Sequence, residues 1–350
     1  MVKMTVLASG SKGNSAVVSS SRTRILVDAG LSCRELFKRM QAAEEDPRTL
    51  NAILITHEHQ DHVQGLAVIA RKLGIPVYFT EATHRAWMRW MMPRKRMTYA
   101  DWLEQRRQQQ QEAAVLESSG AGKPDPVGAT GVAAEADGAT GVAIAAVADI
   151  DPEVEGSDAA ECAAEVEELL TPSRANEPEP DPCALPAVEY FRAGSGFAIG
   201  DIAVTPFTIP HDAADPVGFV FEAEGIRVGL ATDLGYLPSN VQVRLRGCDI
   251  LMIESNHDLE MLRDGPYPWS VKQRVMSRVG HLSNDAAAEF LEKNYDGYAT
   301  YVILAHLSES NNLPELARVA AERALRDRMS LLGNRLLLAE QRAPIESIVL

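Results

Sequence analysis

The stretch AILITHEHQDH, residues 52–62, decides how this chain of 350 residues is read. Residues 52–56 form a continuous apolar run, the pattern of a strand buried on both faces. Three histidines and an aspartate follow at once: His57, His59, Asp61 and His62. Side chains alternate along an extended chain, so His57 and His59 point to the same side and can converge on one ion. Asp61 and His62 open a helical pattern that runs from about 62 to 73, and can turn toward a neighbouring position. Imidazole and carboxylate together suit zinc and similar divalent transition metals. A buried strand that ends in four ligand-type side chains has little purely structural use.

Outward from this stretch, the first hundred residues read as α/β. Short β-branched runs at 5–8, 16–19 and 24–28 predict a strand meander, and 77–79 a further strand. Helical patterns cover 31–40 and a segment carrying Trp87 and Trp90. After residue 189 the sequence predicts strands at 203–208, 218–222, 227–232, 249–254 and 301–305. Helices are predicted over 269–278, 284–294 and 314–328.

Between these halves, residues 112–189 consist mainly of Ala, Gly, Pro and Glu, with GATGVA occurring at 128 and again at 138. This segment holds eighteen acidic residues against two basic ones, Lys123 and Arg174. Such text cannot bury enough apolar surface to offset its ordering entropy, so a disordered insertion is expected, with 158–170 as a candidate acidic helix. The chain's net charge is −15, but outside the insertion 32 basic residues balance 31 acidic ones. The acidity therefore does not exclude a nucleic acid partner. The expected organisation is one α/β domain in two halves, 1–111 and 190–328, with the insertion between them and a tail at 329–350. Cys33, Cys162, Cys183 and Cys248 form no CxxC pair, which fits a reducing cytosol. No run approaches the roughly 18 apolar residues of a membrane span, and the N-terminal MVKMTVLASGSKGNS lacks the apolar core of a signal peptide. A cytoplasmic protein without a membrane partner is expected.

The HxHxDH pattern after a buried strand resembles the metal motif of the metallo-β-lactamase superfamily. Other marks match in order: ILVDAG (25–30), IPHD (209–212), ATDLG (231–235) and LAHLS (304–308). The resemblance implies a four-layer αββα sandwich with its site at the strand ends. It implies two divalent ions per chain, zinc first and manganese second. One would be held by His57, His59 and His211, the other by Asp61, His62 and His306, with Asp233 between them. Asp28 would brace the histidine loop from behind. Two ions about 3.5–4 Å apart can supply a bridging hydroxide as nucleophile and clamp the reacting group.

Fold alone does not settle the substrate. GHLSNDA (280–286) resembles the nuclease motif of the superfamily, whose histidine contacts the scissile phosphate, and this makes His281 a catalytic candidate beside Asp61. IESNHD (253–258), DGPYPW (264–269) and SGSKGNS (9–15) resemble the small bacterial hydrolases of the YycJ (WalJ) type, regarded as metal-dependent DNA exonucleases. Ser255, Asn256, His257 and Ser308 then become candidates for substrate contact. Asp233 and His281 are 48 residues apart, and His211 and Asp233 are 22 apart. These spacings leave no room for the extra domain of RNA-cleavage and DNA-repair relatives, or for the tRNA-gripping arm of tRNA-processing ones. Seven basic residues between Arg85 and Arg107 stand among Trp87, Trp90 and Trp102, a composition that suits single-stranded nucleic acid, although Trp87 and Trp90 at helical spacing also fit a core. The expectation is a dinuclear phosphodiesterase, a 5′→3′ exonuclease with DNA favoured over RNA. Its competitors are a hydrolase of small esters, thioesters or lactones on the same metals, and a metal-stabilised interaction module that offers its acidic insertion to a protein partner.

Overall fold

The computed structural model describes residues 1–92, 106–107, 181–326 and 335–350. The stripe residues Arg94, Lys95, Arg96 and Trp102, the candidate acidic helix at 158–170, Cys162 and most of the insertion lie outside them. Met1–Pro93 and Pro180–Leu350 together form the one compact unit described below.

Fourteen strands are found among the described residues: β1 (Lys3–Ala8), β2 (Ser15–Ser19), β3 (Arg24–Val27), β4 (Ala52–Leu54), β5 (Val77–Phe79), β6 (Val188–Tyr190), β7 (Phe197–Ile199), β8 (Ile202–Thr208), β9 (Val217–Ala223), β10 (Ile226–Ala231), β11 (Ile250–Glu254), β12 (Tyr301–Ala305), β13 (Arg335–Leu338) and β14 (Ile348–Val349). They form two seven-stranded sheets, ordered β14-β1-β2-β3-β4-β5-β6 and β13-β12-β11-β10-β9-β8-β7. Each sheet repeats one scheme. In the first, β1, β2 and β3 are antiparallel neighbours, and β3 through β6 run parallel. In the second, β8, β9 and β10 are antiparallel, and β10 through β13 run parallel.

The continuous apolar runs are explained by burial on both faces. Ile25 and Val27 of β3 meet Val228, Leu230, Ile250 and Met252 of the other sheet in one core. Their neighbours Leu26 and Ile53 face outward and pack on the helices Cys33–Ala42, Leu66–Leu73 and Glu81–Met91, with Trp87 fully buried among them. On the far side, Leu251, Ile253, Val302 and Leu304 pack on the helices Ser239–Leu245, Asn284–Lys293 and Pro314–Leu325. The layers are thus helix, sheet, sheet, helix, as the sequence leads one to expect.

Three departures from the sequence reading are instructive. The segment 329–350 is no tail, because β13 closes the edge of one sheet on β12 and β14 closes the other on β1. The chain rejoins the fold by Val188, when β6 pairs in parallel with β5. The helix expected over 62–73 is two pieces, Gln60–Val63 and Leu66–Leu73, interrupted at Gln64 and Gly65. Among the described residues, no helix is long and apolar enough to cross a membrane. Cys33, Cys183 and Cys248 are free thiols.

Phe219 lies fully buried between the sheets. Its replacement by Ala is expected to cost about 3–5 kcal/mol of unfolding free energy through the cavity it leaves, read as a lowered urea midpoint.

Candidate metal centre

The parallel strands of both sheets deliver polar residues from their C-terminal ends. Asp28 follows β3, His57 follows β4 by way of Ile55 and Thr56, Asp233 follows β10, Glu254 ends β11 and His306 follows β12. Asp28, Asp233 and His306 all take left-handed backbone conformations, with φ of 60, 61 and 55°. Non-glycine residues adopt that region rarely, and mostly where surrounding structure imposes it. Here the turn aims each side chain back across the strand ends.

Three candidate ligand groups result among the described residues, the third being Asp233, Glu254, His281 and His306. The imidazoles of His57, His59 and His211 each offer a nitrogen within 4.8 Å of the others, and His211 Nε2 lies 3.2 Å from His59 Nδ1. Asp61, His62, Asp233 and His306 form the second group. In it, His62 Nε2 is 3.4 Å from Asp61 Oδ2 and 3.5 Å from Asp233 Oδ2. His306 Nε2 is 3.5 Å from Asp61 Oδ2 and 3.4 Å from Asp233 Oδ1. Donors about 2.0–2.1 Å from a tetrahedral zinc stand roughly 3.3–3.4 Å apart, so separations of this size suit such an ion, with Asp233 offering one oxygen toward His62 and the other toward His306. The polar atoms without a protein partner also point to a metal. His57 Nε2 and Asp233 Oδ2 are buried and make no hydrogen bond, a costly state unless something else ligates them. The residues present therefore fit the ions that the superfamily resemblance implies. All seven expected ligands are brought together, with Asp233 grouped with Asp61, His62 and His306.

The ring nitrogens turned away from these groups are held by the protein. His62 Nδ1 donates to Asp28 Oδ2 at 2.8 Å, and Asp28 also accepts from Thr56 N and Thr56 Oγ1, both at 2.9 Å. Thr56 Oγ1 lies 3.0 Å from His57 Nδ1, and Gly280 O accepts from His211 Nδ1 at 3.2 Å. Asp28 therefore holds the histidine loop through Thr56 as well as His62. Such partners fix ring orientation and tautomer in metal sites generally. Close approach at Gly30 completes the brace, because a Cβ there would lie 1.7 Å from Asp61 O.

Two supporting residues carry no role in the sequence reading. Fully buried Glu254 accepts from His281 Nδ1 at 2.7 Å and from His306 Nδ1 at 3.0 Å through Oε1, while Oε2 takes the backbone N–H groups of Leu234 and Leu282. Asn14 Nδ2 donates to Asp61 Oδ2 at 3.0 Å, so the SGSKGNS loop positions that carboxylate. A sequence signal for Glu254 existed: its apolar strand ends in an acid, like the runs before Asp28 and Asp233.

Electrostatics follow from burial and proximity. Burial holds His57 well below the usual imidazole range and takes His211 down to about 4. Burial would do the same to His62 and His306, but the surrounding carboxylates, Asp233 first, outweigh it and raise both. Burial works against ionising Asp61, Asp233 and Glu254, but neighbouring histidines prevail in each case and hold Glu254 at about 2. Mutual reinforcement of this kind keeps the carboxylates charged beside whatever cation occupies the centre.

His281 stands at the mouth, 21% exposed in its side chain, with ring centroids 5.1 Å from His211 and 5.0 Å from His306. The four expected substrate contacts are placed differently. Ser255, Asn256, His257 and Ser308 are all buried. Ser255 Oγ donates to Asn284 Oδ1, Asn256 Nδ2 donates to His306 O at 2.8 Å, and Ser308 N donates to Asn256 O. His257 lies beneath the surface, and burial lowers its pKa to about 4. Asn256 and Ser308 thus support the turn that carries His306. Of the basic stripe, Arg85 pairs with Glu81 and Trp87 is core, whereas Trp90 is exposed.

Asp28→Asn is expected to weaken metal binding about 10–100-fold, measured by competition with a chromophoric chelator.

The metallo-beta-lactamase superfamily model matches residues 9–266. The chain is 30% identical over 323 residues to "Exodeoxyribonuclease YycJ" of Bacillus anthracis, covering 92% of this chain and 89% of that one. It is 29% identical over 317 residues to "Exodeoxyribonuclease WalJ" of Streptococcus pneumoniae serotype 2, covering 91% and 86%. Among solved structures, the metallo-beta-lactamase fold protein YhfI from Bacillus subtilis aligns with a TM-score of 0.55 at 12% identity, over 98% of both chains. Zn(2+)-bound PqqB from Methylobacterium extorquens aligns with a TM-score of 0.51 at 14% identity, over 98% and 99%. These two likenesses concern the fold. With its histidine and aspartate cluster at the strand ends, the chain belongs to the metallo-beta-lactamase superfamily, as a metal-dependent hydrolase related to the YycJ and WalJ proteins.

Proposed function

We propose that this hydrolase is a dinuclear phosphodiesterase that degrades DNA from an end, in the 5′→3′ direction, with zinc or manganese as its ions. The observation that carries the reading is His281, an imidazole at the mouth of the ligand cluster whose Nδ1 is taken by Glu254. That bond leaves Nε2 as the atom available to a phosphate oxygen.

His57, His59 and His211 would hold one ion, and Asp61, His62, Asp233 and His306 the other. When bound, such ions supply a water-derived nucleophile at neutral pH and positive charge against the phosphoryl oxygens. The chain's own groups do the rest. Asn14 and the neighbouring histidines keep Asp61 ionised and aimed at the centre, where it orients the attacking water. His281 donates a hydrogen bond from Nε2 to the phosphate and returns a proton to the leaving oxygen. Glu254 fixes the orientation of the ring through its bond to Nδ1, in the manner of a carboxylate behind a catalytic imidazole. The names of the YycJ and WalJ relatives support DNA as substrate, and the near-neutral charge outside residues 112–189 leaves a polyanion free to approach.

His281→Ala is expected to retain the metal content of the parent and lose about 10²–10⁴-fold in turnover on end-labelled DNA. Asp233→Ala should lose metal and activity together. Full nuclease activity in the metal-replete His281→Ala protein contradicts this assignment. Labelling the two DNA ends separately reports the direction of digestion.

A further inference from the structure

Beside the ligand cluster lies a pair of side chains that neither the core nor the metal centre uses. The guanidinium carbon of Arg278 sits 4.3 Å from the ring centroid of Tyr236. Tyr236 is three residues beyond Asp233, and Arg278 three residues before His281. Both residues therefore belong to the loops that present metal-site groups. Their backbones are locked together at Gly235, where a Cβ would lie 2.4 Å from the Arg278 carbonyl carbon and 2.5 Å from Ser277 O. Gly235 N also donates to Pro210 O, and Asp212 N to Val279 O, each at 3.0 Å. Three loops, carrying His211, Asp233 and His281, are thus fastened into one rim.

Charge separates Arg278 from its neighbours. Arg274 pairs with Asp212, and Arg263 with Asp264. Among the described residues, no acid pairs with Arg278. It is exposed to solvent, while Tyr236 is half-buried. A planar cation held over an aromatic ring, unneutralised among the described residues and exposed, is preorganised for a ligand that is both planar and anionic. Guanidinium planes stack on nucleobases, and their N–H edges bond phosphate. Exposed Val279 extends the apolar side of the same rim.

We infer that Tyr236 and Arg278 form a stacking platform for a nucleotide of single-stranded DNA next to the one being cleaved, with Arg278 also contacting its phosphate. This subsite rests on the phosphodiesterase reading above and adds to it where the strand lies. It puts one cation, unpaired among the described residues, and one ring at the point where the strand enters. Base stacking of this kind is tolerant of sequence.

The test uses the full chain and two probes. A fluorescein-labelled single-stranded oligodeoxythymidine is titrated in EDTA, which reports binding without cleavage, and bis(p-nitrophenyl) phosphate hydrolysis is followed with metal restored. Tyr236→Leu and Arg278→Gln are each expected to raise the oligonucleotide Kd about tenfold, with turnover of the small diester within about twofold of the parent. Arg278→Lys, which keeps the charge and loses the plane, should fall between them and the parent. Parent-like oligonucleotide binding in both variants overturns the platform, and so does an equal loss on both probes, which marks a structural role. If the parent hydrolyses the small diester but neither binds nor degrades the oligonucleotide, the nucleic acid reading itself fails and the platform with it.

Discussion

Four buried imidazoles must each keep one ring nitrogen bare and turned inward, and the rest of the site depends on how that is enforced. An imidazole left to itself exchanges tautomers and rotates, so a nitrogen is reserved only when its partner across the ring is already bonded. Thr56, Asp28, Gly280 and Glu254 provide those bonds for His57, His62, His211 and His306. Two of the four partners are carboxylates at the ends of strands, and a third, Thr56, is itself tied to Asp28. The strand-end aspartate in its left-handed turn is therefore the hinge between fold and chemistry. The sheet sets where β3 stops, the turn sets where Asp28 points, and Asp28 sets the histidine loop.

The two sheets share one connectivity, and the chemistry is distributed over corresponding places in each. The third strand of the first sheet's meander leads to Asp28, and its counterpart β10 leads to Asp233, with nearly identical backbone angles. The next parallel strand leads to Thr56 and His57 in one half and ends in Glu254 in the other. The same structural device thus yields a brace in the first half and a candidate ligand in the second, and a candidate ligand loop in the first and a brace in the second.

Much of this was legible in the sequence because the ligands come as compact motifs, each directly after a strand buried on both faces. Burial on both faces makes an apolar run conspicuous, and a polar cluster at its end is hard to read as solvated surface. What escaped notice lacks that contrast. β6, β13 and β14 are short edge strands whose pairing partners lie far away in sequence, so tertiary contact and not local pattern forms them, and β7 is a three-residue edge strand paired to β8 through a tight hairpin. Glu254 was passed over because a single acid at a strand end resembles a surface residue until its two histidine partners, 27 and 52 positions onward, are seen. Ser255, Asn256, His257 and Ser308 were less legible. Polar residues near a site suggest substrate contact, yet all four are buried, and Asn256 and Ser308 bond to one another's turn beside His306. A polar cluster in sequence does not say which side of the site wall it occupies.

Asp61 and His62 come from the first half of the fold, Asp233 and His306 from the second, and the donors stand within 3.5 Å of their neighbours across that divide. An ion bound there is a cross-link as well as a reagent. It would add to the apolar core and to the hydrogen bonds that already join the two sheets, such as Val217 N to Thr56 O and Thr23 Oγ1 to Asp201, and its binding free energy would add to the cohesion of the pair as metal concentration rises. A metal centre placed across the two halves would thereby couple metal supply to mechanical integrity as well as to chemistry.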